Sequence, residues 1–597
     1  MQAGLTGFVP TPSLNELEDL NRRHPLMLFY NNDVCTYDSP RSKGKTRGED
    51  RMTMRVWLGL GAMAATGFAA VPLLGASEDA RADERIAASE TMARCTALAD
   101  AAADGLAFSA AELVSAGPGP AAPGADPAQL PEHCLVRGTI DRRVGVGERE
   151  FGIGFEMRLP SDWNGRFLFQ GGAGLDGQVM PAVGTVANSA KPSALARGFA
   201  VVSTDSGHTG SIIDASFGLD QQARVDYAYN ALDKVTAQAK RLVHAYYGAT
   251  PDYSYFLGCS NGGRQALVAS QRLPLEFDGI VAGDPAMSFS RIALGEVWNM
   301  QVLARIAPRD EAGRPIYARA FSEADLGLVR SRVLAQCDAL DGLADGMIND
   351  WQGCAFHPRE LTCTGAKTAQ CLSADQVGVL HDLMQGPMTS AGKHVYGPFT
   401  YDTGIASGAW RGMRLGTSQT GEPNSADSTL GLGQFRYLQL TPPEPEWNPL
   451  TPYSVDAMLD RLRYQGGIGD GDSPFLSTFV RRGKMIVYNG LSDQGMSTPH
   501  IARWYDAMVA ATGEAARDSV RLFAVPGMLH CGGGEATDTF EMLDAITDWV
   551  ERGQAPNRVI ATGKTMPGIS RPLCPYPQVA RYEGGDPELA ASFSCRS

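Results

Sequence analysis

Residues 253–263 read YSYFLGCSNGG, and the reading of this stretch decides the fold. Its first five residues, Tyr253 to Leu257, are apolar and rich in aromatic side chains, as a buried strand is. The run stops at Gly258-Cys259-Ser260-Asn261-Gly262, which fits the pattern G-x-S-x-G, and Gly263 follows. From Arg264 onward the sequence RQALVA can begin a helix. A strand, a glycine turn and a helix in that order hold a serine hydroxyl out at the strand's end. Glycines suit such a turn because it is strained and its two backbones pack closely. The N–H of Asn261, at a helix N-terminus, then faces the place where an oxyanion would form. This context points to Ser260 as a nucleophile; the plain alternative is a glycine-rich turn with an incidental serine.

Outward from the turn, the flanking pattern is that of an α/β protein. Strands are expected at 134–140, 151–159, 166–170 and 199–204, and a further short buried one at 277–283. Over 225–247, Ala228, Leu232, Val235, Ala239, Leu242 and Tyr246 recur at spacings of three and four, and Gly248 follows, which predicts an amphipathic helix. Strand and helix in alternation imply a mainly parallel, doubly wound sheet. After Pro285 the pattern breaks. Residues 287–475 hold irregular stretches, four cysteines and clusters of Pro, Gly and Ser. The alternation then resumes with a strand at 484–489, a helix at 498–511, a strand at 520–525 and a helix at 539–553. The expected organisation is therefore a core in two parts, 83–286 and 476–597. A large lid domain, 287–475, is inserted between them over the strand ends where ligands bind.

A serine nucleophile needs a base to take its proton and a carboxylate to hold that base. On a doubly wound sheet of this kind they follow in the order Ser, Asp or Glu, His. Asp493 stands in the loop after the 484–489 strand, and His530 in the loop after the 520–525 strand. Standing alone, Asp493 is as well read as a turn residue and His530 as a loop histidine. His208 also follows a strand, but it precedes the serine. Gly171-Gly172-Ala173-Gly174 follows the 166–170 strand and lacks the spacing of a dinucleotide loop. Gly171 and Gly172, with Asn261, are the expected oxyanion-hole residues.

The formal net charge is −14 over 597 residues, which argues against a nucleic-acid backbone as partner. The first fifty residues are polar and aperiodic. Residues 56–76 form an apolar run flanked by Arg51 and Arg55 and followed by small residues. That reads as a signal peptide, 52–82, cleaved after Ala76 or Ala82, preceded by an upstream extension, 1–51. A membrane anchor is the competing reading, and no stable anchor is expected. The expected location is therefore periplasmic or secreted. Of eleven cysteines only Cys35 precedes the apolar run. The remaining ten suit disulfides in an exported chain, and the absence of any C-x-x-C pair argues against zinc or redox sites. Proximity in sequence pairs Cys95 with Cys134, Cys337 with Cys354, Cys363 with Cys371, and Cys574 with Cys595. That leaves Cys259 and Cys531, each the neighbour of a candidate catalytic residue.

Cys-Ser, Asp and His-Cys in this order, the segment GCSNGGRQALVASQRLPLEFDGIVAGDPA (258–286) and the segment CPYPQVARY (574–582) resemble the tannase and feruloyl esterase family of α/β-hydrolases. The resemblance runs over about residues 90–597. It implies a serine carboxylic ester hydrolase acting on small esters of aromatic acids, of the feruloyl or galloyl type. The loop CDALDGLADGMIND (337–350) offers hard oxygen ligands at Asp338, Asp341 and Asp345, without the EF-hand spacing. The residues alone leave calcium and an ordinary acidic loop equally open. The resemblance implies a structural calcium ion there, with the backbone carbonyls of Leu343 and Met347 as further ligands. A branch of the family that hydrolyses a terephthalate monoester grips its free carboxylate with a lid arginine. The corresponding stretch here, 417–434, holds no arginine or lysine, and Arg411 and Arg414 stand just before it. That substrate is the alternative. A noncatalytic aromatic-ligand-binding protein on the same scaffold is the alternative of another class.

Overall fold

A nine-stranded sheet carries the molecule. The computed structural model describes residues 89–100, 105–120 and 128–597. The expected upstream extension and signal peptide lie outside the described residues, as does the apolar run at 56–76. Among the described residues no helix is long and apolar enough to cross a membrane.

In chain order the strands are β1 (Leu106–Val114), β2 (His133–Val144), β3 (Glu150–Pro160), β4 (Arg166–Gln170), β5 (Ala200–Thr204), β6 (Tyr253–Cys259), β7 (Gly279–Gly283), β8 (Lys484–Gly490) and β9 (Val520–Val525). They lie side by side as β1-β2-β3-β5-β4-β6-β7-β8-β9. The pairs from β1 to β5 are antiparallel. All pairs from β5 through β4 to β9 are parallel. A parallel strand covered on both faces reads as a continuous apolar run. The apolar stretch of β8 shows the consequence. Met485 and Val487 join the core on one face, with Phe256, Leu267 and Tyr505. Ile486 and Tyr488 join the core on the other, with Tyr255, Ile546 and Trp549.

The main helices are α1 (Ala231–Tyr247), α2 (Asn261–Arg272), α3 (Phe289–Leu303), α4 (Glu323–Cys337), α5 (Ala374–Gln385), α6 (Val455–Gly469), α7 (Thr498–Thr512) and α8 (Met542–Arg552). The helix expected over 225–247 begins earlier, at Gln221. It passes a wide turn at Asp226–Asn230, continues as α1, and ends at Gly248 with a φ of 73°. Its six periodic apolar residues are buried as the spacing requires. α1, α2 and α7 cover one face of the sheet and α8 the other.

β7 and β8 are neighbours although residues 284–483 separate them, and no residue of that segment joins the sheet. The segment carries α3 to α6 and builds cores of its own around Val329, Leu380 and Trp410 and around Val297, Phe435 and Leu462. All five expected cysteine pairs are disulfides: Cys95–Cys134, Cys259–Cys531, Cys337–Cys354, Cys363–Cys371 and Cys574–Cys595. Strand β1 is not among the expected strands. Its sequence, LAFSAAELV, is half-buried except at Ser109 and Glu112, which are three residues apart, so period-two reasoning has nothing to detect.

Candidate active site

β6 ends at Cys259, α2 starts at Asn261, and Ser260 alone makes the turn, at φ 63° and ψ −122°. Such a φ is costly for a residue with a Cβ, and the neighbouring packing imposes it. A Cβ on Gly258 would lie 2.6 Å from the Gly262 oxygen, and one on Gly263 would lie 2.4 Å from the Gly283 oxygen. The backbones of β6, α2 and β7 therefore touch only because these positions are glycine. The Ser260 N–H donates to Gly283 O at 3.0 Å, which fixes the turn against β7.

Ser260 Oγ lies 2.8 Å from His530 Nε2. His530 Nδ1 lies 2.7 Å from Asp493 Oδ2. Asp493 Oδ1 accepts the N–H groups of Gly495 and Met496 at 2.7 and 2.8 Å. The structure thus brings the three candidate catalytic residues together from three loops at one edge of the sheet. Burial works against the charge of both partners, yet their mutual attraction wins. The Asp493 carboxyl sits below the usual carboxylate range because His530 is beside it. The His530 imidazole is correspondingly raised above 6.5. His208, the competing histidine, is buried and stacked on Phe217 at 3.6 Å, and burial pulls it down to about 4.

Cys259 and Cys531 lie 272 residues apart and join the Ser260 turn to the His530 loop, with their Cα atoms 6.0 Å apart. Two further acids, absent from the sequence-based expectations, hold the same loops. Asp402, from the inserted segment, accepts the Gly527 N–H at 2.9 Å and the Ser492 hydroxyl at 3.0 Å. Asp284, at the end of β7, accepts the Gly490 N–H at 2.9 Å. The sequence offers no signal for Asp402. For Asp284 it offers only an Asp-Pro turn.

The expected oxyanion residues divide. Asn261 is the first residue of α2, so its N–H has no intrahelical acceptor. Its side chain is held by Tyr227 and Arg264 and contacts Asp176. For Gly171 and Gly172 the expectation needs correction. The Gly171 N–H donates to Leu257 O at 2.9 Å, extending the β4–β6 ladder, and the Gly172 N–H donates to Gln265 Oε1 at 2.8 Å. Both donors are occupied. What these glycines provide is close approach: a Cβ on Gly171 would sit 2.7 Å from Gly262 Cα.

Arg411 and Arg414 are also occupied. Arg411 donates to the Phe321 and Ala318 carbonyls at 3.0 and 2.8 Å. Arg414 is buried, paired with Asp427 at 2.8 Å, and also bonded to Gln494 O. In the 337–350 loop, Asp338 accepts the Gly346 N–H at 2.9 Å, Asp341 accepts from Asn349 at 2.6 Å, and Asp345 pairs with Arg571. Among the described residues neither Asp338 nor Asp341 has an ion-pair partner. Asp341 is buried and Asp338 half-buried, and carboxylates of this kind are the hard oxygen donors calcium takes, but the carboxylate oxygens of Asp338, Asp341 and Asp345 do not all lie within 4.8 Å of one another.

The family model described as tannase and feruloyl esterase matches residues 134–596. This chain belongs to that family. It is 40% identical over 556 residues to a mono(2-hydroxyethyl) terephthalate hydrolase of Piscinibacter sakaiensis, covering 84% of this chain and 91% of the relative. It is 29% identical over 482 residues to a probable feruloyl esterase of Arthroderma benhamiae, covering 77% and 85%. The crystal structure of feruloyl esterase B from Aspergillus oryzae superposes with a TM-score of 0.71 at 25% identity, covering 85% of this chain and all of that one. The fold is that of an α/β-hydrolase, and the chain is a carboxylic ester hydrolase acting on small esters.

A disulfide closing a loop of this length is worth up to about 5 kcal/mol in the chain-entropy model. Replacing both Cys259 and Cys531 with alanine is expected to lower kcat/KM more than replacing any other cysteine pair, in protein that circular dichroism shows to be folded. Misplacing the two loops by about 1 Å costs on the order of a hundredfold in rate.

Proposed function

We propose that this chain is an exported serine esterase that cleaves esters of aromatic carboxylic acids through an acyl-enzyme. The observation that carries the reading is the unbroken hydrogen-bond chain from Ser260 Oγ through His530 to Asp493. Ser260 Oγ attacks the ester carbonyl carbon as its proton passes to His530 Nε2, and the carbonyl oxygen takes the negative charge. The N–H of Asn261 stabilises that oxyanion. As the tetrahedral species collapses, the C–O bond to the alcohol breaks and His530 returns its proton to the leaving oxygen. Water then attacks the acyl-enzyme with His530 again as base, releasing the acid and restoring Ser260. Asp493 holds the imidazole with Nε2 towards the serine and stabilises the imidazolium. Ser260→Ala is expected to lower kcat by about four or more orders of magnitude while substrate binding is largely kept. Near-normal turnover in that variant contradicts the assignment.

An aromatic acyl group is supported by the relatives' names, since ferulic and terephthalic acids are both aromatic. The reading favours a neutral feruloyl or galloyl acyl group, because Arg411 and Arg414, the candidate grips for a free carboxylate, are committed to internal partners. The terephthalate monoester remains the second reading, favoured by the 40% identity. A hydrolysis panel separates them. The expected order of kcat/KM places methyl ferulate or methyl gallate above the mono(2-hydroxyethyl) ester of terephthalic acid, and the reverse order supports the second reading.

Export is supported by the five disulfides, which persist in oxidising compartments. Calcium in the 337–350 loop would be held by Asp338, Asp341, Asp345 and the carbonyls of Leu343 and Met347, and would brace the inserted segment away from the chemistry. Chelation is then expected to lower the melting temperature while leaving activity at low temperature nearly unchanged. Metal analysis finding no calcium, with melting unaltered by chelator, contradicts this.

A further inference from the structure

Asp284 is a buried acid beside the catalytic residues for which the reaction scheme above has no use. It follows the last residue of β7 at a φ of 36°, a backbone conformation a residue with a Cβ seldom adopts, and it is wholly shielded from solvent. A carboxylate oxygen of Asp284, one of Asp493 and a ring nitrogen of His530 all lie within 4.8 Å of one another. Asp284 Oδ2 packs 3.6 Å from Cys259 Sγ, so the acid also sits against the disulfide. The titratable groups facing it are Asp493 and Tyr488, from β8 and its loop, and His530, from the loop after β9. The Tyr488 hydroxyl donates a hydrogen bond to Asn188 Oδ1. Among the described residues Asp284 has no ion-pair partner.

Two carboxylates buried this close, one of them without an ion-pair partner, repel each other strongly enough that one keeps its proton. The donors decide which keeps the proton. Asp493 receives two backbone N–H groups on Oδ1 and His530 on Oδ2. Asp284 receives the Gly490 N–H on Oδ1 and the Cys531 backbone N–H, two donors against the three on Asp493. Donors stabilise an anion, so the charge belongs on Asp493. We infer that Asp284 carries a proton through the catalytic cycle and donates it as a hydrogen bond to Asp493, making Asp284 a positioning residue for the Asp493–His530 pair. Burial, and after it the charge of Asp493, push the Asp284 carboxyl well above the usual carboxylate range, in the same direction as the donor count.

The inference rests on the triad reading, and the two fail separately: turnover surviving in Ser260→Ala overturns the triad whatever Asp284 does. The test is the acid limb of kcat/KM. Activity needs neutral His530, so it is lost as pH falls through a His530 pKa that lies above 6.5. In Asp284→Ala, Asp493 loses a donor and holds its charge more tightly against the imidazolium. The limb is expected to move up by about half a pH unit and kcat/KM to fall about tenfold. Asp284→Asn keeps an uncharged donor in nearly the same shape. It is expected to recover kcat/KM to within about threefold of wild type, with the limb back at the wild-type position. If Asp284 were ionised, Asp284→Asn would remove a charge and move the limb down, and that result overturns the inference. So does an Asp284→Ala enzyme with wild-type rate and limb. Should Asp284→Ala fail to fold, the infrared difference spectrum of wild type minus Asp284→Asn at pH 8 decides. A carboxylic-acid C=O band is expected, and its absence overturns the inference.

Discussion

The hydrogen bond between Ser260 and His530 spans 270 residues of chain, and much of the molecule serves to keep its two ends within 2.8 Å. The serine end is set by backbone packing. Gly258, Gly262 and Gly263 let β6, α2, β7 and the Gly171–Gly172 loop touch, leaving Ser260 nowhere to go but into the turn. The histidine end is set by covalent and polar ties. Cys531 binds the loop to Cys259, and Asp402 holds Gly527 and Ser492 so that the His530 and Asp493 loops move as one. The Asp402 bonds are buried, where a hydrogen bond is stronger and its loss more costly than at the surface.

Placing residues 284–483 between β7 and β8 puts a large structure at the sheet edge without interrupting the sheet, because the two strands still pair in register from Lys484–Gly279 to Tyr488–Gly283. The insertion is anchored at both ends of its chain. Ser288 donates to Asp472 at 2.6 Å and meets His500 Nε2 at 2.8 Å, joining the segment's start, its end and α7. Ser, His and Asp stand together here a second time, but with a different arrangement. Ser288 is wholly buried, the aspartate bonds the serine rather than the histidine, and burial holds His500 down to about 3. Without a carboxylate to stabilise an imidazolium and without access for a substrate, the cluster is a clamp.

Where a residue's place follows from periodicity or from a neighbour in sequence, the sequence was enough to locate it. β4 and β9 have the boundaries their apolar runs imply, and Ser260 is named by its own turn. Asp493 and His530 follow from their places after successive strands, and the cysteines beside Ser260 and His530 gave the pairing an independent check. What escaped depends on tertiary contact alone. Asp402 lies in an irregular segment and acts on loops 90 or more residues away. Gly171 and Gly172 look like oxyanion donors in sequence, yet their N–H groups donate to Leu257 O and Gln265 Oε1, a fact visible only once α2 is packed against the loop. β1 escaped because its alanines leave no pattern to read.

The account stands on Ser260 being the one activated nucleophile, and stoichiometric labelling with a fluorophosphonate tests that most directly. Intact-mass spectrometry is expected to show a single adduct per chain, peptide mapping to place it on Ser260, and hydrolysis to fall in proportion to labelling. An enzyme that hydrolyses esters at full rate after the label has occupied Ser260, or one labelled at another residue with loss of activity, would contradict it.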